Sequence, residues 1–220
     1  MTKTNTKRAV PTAQEFYKTK AGTKTYVALL LNSTLNMDTK VRTFDASMVN
    51  LGNFATQEVG TTRATFYNHL KKLEEEGFIK REDDLIHIFP TTLYALIEKE
   101  TLRYLLNVSN VNVVSVFAAL QWRWDYFQKL GKPAYFTQTV ILEDLGMYNN
   151  GKNQNMIKDI LNSLINEGLI KYVNHKTPKG NIIKQLTELN KSVKQNDIPT
   201  FDIDEEVVVR KASDFKGSDF

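Results

Sequence analysis

A shift of 91 positions lays the second half of this chain over part of the first, and that self-similarity constrains the fold more than any other feature. It places Phe66 on Ile157, Leu70 on Leu161, Leu73 on Leu164, Gly77 on Gly168, Phe78 on Leu169, Ile79 on Ile170 and Lys80 on Lys171. Apolar residues at i, i+4 and i+7 bury one face of a helix, a glycine ends it, and an apolar pair opens a strand. Both halves therefore make the same structural move. A length of 220 residues accommodates two modest domains.

Around this repeat the chain is expected to divide into five parts. Residues 1–14, rich in Thr, Lys and Asn, read as a flexible basic arm. Residues 15–90 form a first domain. Its apolar stripe Tyr26, Val27, Leu30, Leu31 and Leu35 marks a helix, followed by a less regular segment over 37–53. From Phe54 the sequence FATQEVGTTRATFYNHLKKLEEE predicts a short helix, a turn at Gly60 and a longer helix capped by Thr61 or Thr62. Phe78–Arg81 and Leu85–Phe89 flank Asp83-Asp84 as a hairpin. Residues 91–110, with Leu93, Leu96, Leu102, Leu105 and Leu106, are expected to form a helical connector. In the second domain, 111–190, a long helix over 112–130 is ended by Gly131 and Pro133, and 136–146 supplies a short one. Residues 191–220 read as an acidic, flexible tail.

Two segments, VGTTRATFYNHLKKLEEEGFIKRED and NQNMIKDILNSLINEGLIKY, resemble the winged helix-turn-helix family, and the resemblance extends over residues 22–90 and 110–185. It implies a mainly α fold with small β-hairpin wings, two winged helix-turn-helix domains in tandem. The second helix of each turn would enter the DNA major groove while the wing follows the backbone. The arrangement is also similar to regulators and replication initiators of plasmids or phages of low-GC Gram-positive bacteria.

The residues argue for DNA in their own right. With Phe66, Leu70 and Leu73 turned to the core, the opposite face of the first long helix offers Thr62, Arg63, Thr65, Tyr67, Asn68 and Lys71. Arg63 suits a bidentate contact with a guanine edge and Thr65 a thymine methyl. The second helix offers Asn153, Gln154, Asn155, Lys158 and Asn162, and Asn and Gln pair bidentately with adenine. The first wing tip carries Glu82, Asp83 and Asp84, which repel phosphates. The second presents His175, Lys176 and Lys179 with no acid in its loop, so it is the wing expected to hold the backbone.

The net charge of +4 conceals a division. Residues 197–220 hold seven acids against three cations, leaving +8 on residues 1–196. A basic body suits a polyanionic partner; the acidic tail suits a protein partner, competition with DNA, or solubility alone. Its FDIDEEVVV segment and the SDF echo near the end mix acids with apolar residues, as short docking segments do. The absence of cysteine excludes disulfides, thiol nucleophiles and cysteine-based metal sites. The longest apolar run, Tyr26–Leu31, is too short for a membrane span, and a cytoplasmic location is expected.

Nothing in the sequence supports catalysis, a cofactor or a metal. GMYNNGKN at 146–153 imitates a phosphate-binding loop but places Asn153 where Ser or Thr would ligate magnesium, and it follows a helix rather than a strand. His69, His87 and His175 lack metal-ligand spacing. Trp122, Trp124, Tyr126 and Phe127 read as core packing on the long helix. The chain is thus expected to be a non-enzymatic double-stranded DNA-binding protein, with a homodimer possible. The alternative is a protein-interaction or accessory factor in replication or conjugative transfer, docking partners through its winged helices and its tail at 197–220.

Overall fold

The computed structural model describes residues 7–11, 22–36, 38–39, 41–89, 94–108, 110–189 and 207–209. The chain divides into two compact units, Met1–Trp122 and Arg123–Phe220.

The first unit runs β1 (Lys7–Pro11), α1 (Thr23–Leu31), β2 (Thr34–Leu35), β3 (Arg42–Asp45), one 3-10 turn (Ala46–Met48), α2 (Leu51–Gln57), α3 (Arg63–Glu75), β4 (Ile79–Glu82), β5 (Leu85–Ile88), β6 (Tyr94–Glu98) and α4 (Lys99–Asn107). Helix α5 (Val113–Lys129) contains the boundary between units. The second unit continues with β7 (Ala134–Phe136), α6 (Gln138–Asp144), α7 (Gly151–Asn166), β8 (Ile170–Lys176), β9 (Ile182–Leu189) and β10 (Val207–Val209).

The 91-residue repeat survives at the level of individual hydrogen bonds. In α3, Phe66, Leu70 and Leu73 are at most 1% exposed, as are Ile157, Leu161 and Leu164 in α7. After α3 the Gly77 amide donates to the Glu74 carbonyl (3.0 Å) and the Phe78 amide to Leu73 (2.9 Å). After α7, Gly168 donates to Ile165 (2.7 Å) and Leu169 to Leu164 (2.9 Å), each bond displaced by the same 91 positions. Both glycines have a left-handed backbone, φ 76° and 64°, which a side chain would oppose.

The expectation of a mainly α chain with small hairpin wings is corrected. The fold is α/β, with 49% helix and 25% strand, and its strands gather into three sheets of two to four strands. One sheet pairs β1 with β6, a second has the order β2-β3-β5-β4, and a third the order β10-β8-β9-β7. All pairs are antiparallel except β10, which lies parallel to β8 with Val208 opposite His175.

The added strands lie where the sequence reads as irregular or helical. Arg42–Asp45, within the segment expected to be irregular, pairs with β5 and widens the first hairpin into a sheet. Ala134–Phe136 does the same for the second hairpin, so the short helix begins at Gln138 rather than 136. Lys7–Pro11, expected in a flexible arm, pairs along its whole length with Tyr94–Glu98, expected as helix. In β6, Ala95 and Ile97 are 1% exposed whereas Tyr94 and Leu96 are 45% and 44% exposed, a period of two. Helix α4 then packs on α1, so residues 94–107 belong to the first unit's packing rather than to a connector. The rest of the expected tail, 191–206 and 210–220, lies outside the described residues. On α5, Val113–Gln121 is buried, but Trp122, Trp124, Tyr126 and Phe127 are half-buried or exposed, which corrects their reading as core.

Gly22 joins α1 to α3. Its φ is 68°, and a Cβ built there would lie 2.8 Å from the His69 ring, whose Nδ1 is 2.8 Å from Thr25 Oγ1. Gly22→Ala is expected to cost about 1–2 kcal/mol from the left-handed backbone, and His69 must also shift. Thermal melting with the His69 imidazole NMR resonance checks both effects. An unmoved resonance and unchanged melting would show that α1 is not held this way.

Candidate nucleic-acid interface

Thr62, before α3, is its N-cap: Oγ1 accepts from the Thr65 amide (3.2 Å) and donates to Thr65 Oγ1 (2.9 Å). The two hydroxyls are engaged with each other, shaping the helix start. Arg63 is exposed, and its guanidinium sits over the Tyr67 ring at 5.6 Å, a cation–π contact that orients it. Its Cδ passes near Gly52 of α2, where an added Cβ would lie 3.8 Å away. Asn68 and Lys71 are exposed, with Lys71 3.7 Å from Glu75. The six residues expected on this face thus lie at the N-terminus of α3 or outside its Phe66, Leu70 and Leu73 stripe, with Thr65 and Tyr67 half-buried.

The cations of the first hairpin are paired with acids of the hairpin and of α3. Arg81 donates from its amide and guanidinium to both Glu74 oxygens, at 2.6–2.8 Å, and these bonds hold the Glu74 carboxyl below its ordinary range. Lys80 pairs with Glu82, and His87 Nε2 lies 3.5 Å from the same carboxylate. The hairpin turns within two residues, Asp83 and Asp84. Beside it Met48 is 79% exposed and Leu85 38%.

In the second unit the start of α7 is tied to its preceding turn. Asn150 caps the helix by accepting from the Asn153 amide (2.9 Å). The Asn153 side chain donates to the Tyr148 carbonyl (2.7 Å), Gln154 donates to Asn149 Oδ1 (2.6 Å), and Asn149 donates to Thr139 on α6 (3.3 Å). Two residues expected to read bases therefore already use their amide donors to fix the turn. Asn155 and Lys158 are exposed and Asn162 is half-buried. Tyr148, 87% exposed, and the exposed Lys152 flank this turn and were not among the expected contacts; the GMYNNGKN segment holds both.

A half-buried ion pair holds the end of α6, just before the same turn. Arg123 donates from Nε (2.9 Å) and Nη2 (2.7 Å) to Asp144 Oδ2 at the end of α6. Burial raises the Asp144 carboxyl above its ordinary range, and Arg123 opposes that rise.

The second hairpin is longer. Its strands β8 and β9 pair to Lys176 opposite Ile182, and Thr177–Asn181 closes the loop. Lys176 and Lys179 are exposed. His175 is not, which corrects its expected role at the backbone: it is 2% exposed, opposite Ile183, with the Tyr135 ring edge-on at 5.7 Å. Because β8 extends to Lys176, His175 lies inside the ladder rather than in the loop. Neither of its ring nitrogens has a hydrogen-bond partner among the described residues.

No helix among the described residues is long and apolar enough to cross a membrane. No family model, curated protein or solved structure matches the chain.

Proposed function

We propose that this chain is a non-enzymatic, cytoplasmic protein that binds double-stranded DNA, with α3 and α7 reading the major groove. The observation that carries the reading is repetition. Each unit sets a capped helix after a short helix and a turn, buries one face of it, exposes a polar face, and follows it with a hairpin. The order helix, strand, helix, helix, hairpin supports the resemblance to winged helix-turn-helix proteins in both units. The charge of +8 on residues 1–196 favours a polyanion. A role as regulator or replication initiator of a plasmid or phage fits this reading. Selection of bound sequences from random duplex tests it: recovery of an iterated or palindromic motif is the expected result, and an unenriched pool would refute it.

In this reading the backbone grip belongs to Lys176 and Lys179, whereas the first hairpin's cations are engaged by Glu74 and Glu82. Lys176→Ala with Lys179→Ala should flatten the plot of log affinity against log salt by about two units. Fluorescence anisotropy across a salt series reads it; an unchanged slope would remove this hairpin from the interface.

A second reading draws on the first unit alone. Exposed Met48 and Leu85 beside a hairpin whose cations are paired suit a protein partner better than phosphates. Loss of sequence selectivity from substitutions in α7 but not in α3 would favour it.

A further inference from the structure

The first unit gathers cations at a place the DNA-reading helix does not use. Arg8 on β1, 6% exposed, donates from Nε to the Leu30 carbonyl (3.3 Å) and from Nη1 to the Lys7 carbonyl (3.2 Å). Arg42, opening β3, donates to the Ser33 carbonyl (3.3 Å). Both guanidiniums sit at the C-terminal end of α1, whose carbonyls attract cations. Lys99 opens α4, the end of a helix where a cation is disfavoured, and Arg103 stands one turn further along.

These charges act on one another. Arg8 lies opposite Ile97, two residues before Lys99, and burial first, then Arg42 and Arg103, together lower its guanidinium to about 10. Lys99 is lowered by burial first, then by Arg8, Arg103 and Arg42. Two carboxylates lie nearby: Glu98 pairs with Lys7 at 3.8 Å, and Glu100 pairs with Arg103 of the cluster itself at 2.9 Å, leaving Arg42 and Lys99 without an ion pair among the described residues. The adjoining segments 1–6, 12–21 and 90–93, with positions 37 and 40, contain one acid, Glu15, against Lys3, Lys18, Lys20 and Lys40. Among the described residues the cluster therefore holds more cations than acids. Holding like charges together costs stability, and a ligand of opposite charge would relieve that cost.

We propose that Arg42, Lys99 and Arg103, backed by the buried Arg8, form an anion site for a phosphate group, separate from the reading face of α3. The separation follows from α1. Its Gly22–Thr25 end meets His69 of α3, and its Leu30–Ser33 end meets the cations, about 14 Å away at 1.5 Å per residue. Arg103 is exposed and Arg42 and Lys99 are half-buried, so the three reach solvent while Arg8 supplies field from below. The phosphate belongs either to a DNA backbone or to a small phosphorylated ligand. Only the first source rests on the DNA-binding reading.

The test uses the full chain at constant ionic strength set with sodium chloride. Inorganic phosphate and pyrophosphate are titrated while the amide resonances of Lys99, Glu100 and Thr101 are followed. Saturable shifts in the millimolar range are expected, weakened at least tenfold in Lys99→Gln with Arg103→Gln. The same variant should melt a few degrees higher, because repulsion is relieved; cations that only brace α1 and α4 would make it melt lower. Lys99→Gln alone gives the same readouts if the double variant folds poorly. If duplex is the source, the salt slope of DNA binding falls by about two in the variant. If it is a small ligand, the phosphate shifts persist and the slope does not change. The site is refuted if phosphate, pyrophosphate and duplex all leave these resonances unmoved. A chain that binds no duplex at any salt would defeat the proposed function, and the phosphate titration would still decide the site.

Discussion

Replacing Arg123 by methionine is expected to destabilise the second unit by about 3 kcal/mol at neutral pH, the low end of the range for breaking a buried ion pair. The low end applies because the two side chains keep 17% and 16% of their surface exposed. The loss comes mainly from stranding the Asp144 carboxylate, which burial already pushes above its ordinary range and which would lose the counter-charge opposing that rise. The sign of the pH dependence follows. A carboxyl whose folded pKa is raised contributes most stability when protonated, and that contribution disappears as pH rises through the folded value. The gap in melting temperature between variant and parent, roughly 15 °C at neutral pH for a unit of this size, should therefore narrow as pH falls towards 4. Pairing Arg123→Met with Asp144→Leu should recover much of the loss, since a hydrophobic pair often replaces a buried ion pair without penalty. A gap that stays constant with pH would mean that Asp144 is not the stranded group.

Arg63→Ala carries the largest expected effect on binding. An arginine bidentate to a guanine contributes about 1–3 kcal/mol of discrimination, or about 5- to 150-fold in affinity for the preferred site. Affinity for unrelated duplex should fall far less. Lysine should not restore it, because an ammonium lacks the planar fork and the stacking that now sets the guanidinium 5.6 Å over Tyr67. Tyr67→Leu, which keeps Arg63 but removes its platform, should lose part of the same discrimination. Equal losses on specific and random duplex would make Arg63 a backbone contact and shift base reading elsewhere.

The parts of this molecule that were legible in its sequence are those decided by near neighbours. Helix α3 follows from Thr62, Phe66, Leu70, Leu73 and Gly77, all within sixteen residues, and cap, stripe and terminator are local devices. The strands β1, β3, β6 and β7 are three to five residues long, too short to display a period in residue type, and exist because distant partners pair with them. Leu96 illustrates the difficulty: it sits at helical spacing from Leu93 but forms a strand opposite Ala9. At the candidate interface the sequence locates the polar faces but not how their donors are used. That Asn153 and Gln154 turn back to Tyr148 and Asn149, or that His175 lies under Tyr135, depends on loop and sheet geometry that residue type does not carry.

The unequal hairpins carry a geometrical consequence. Strand β8 has seven residues and β4 has four, and at about 3.3 Å per residue the longer hairpin extends about 10 Å further. On the proposed reading, the second hairpin would reach phosphates further from its own helix than the first hairpin would from its own. The two copies of the repeat thus differ in the reach of their hairpins, and on the proposed DNA reading each would span a different stretch of backbone.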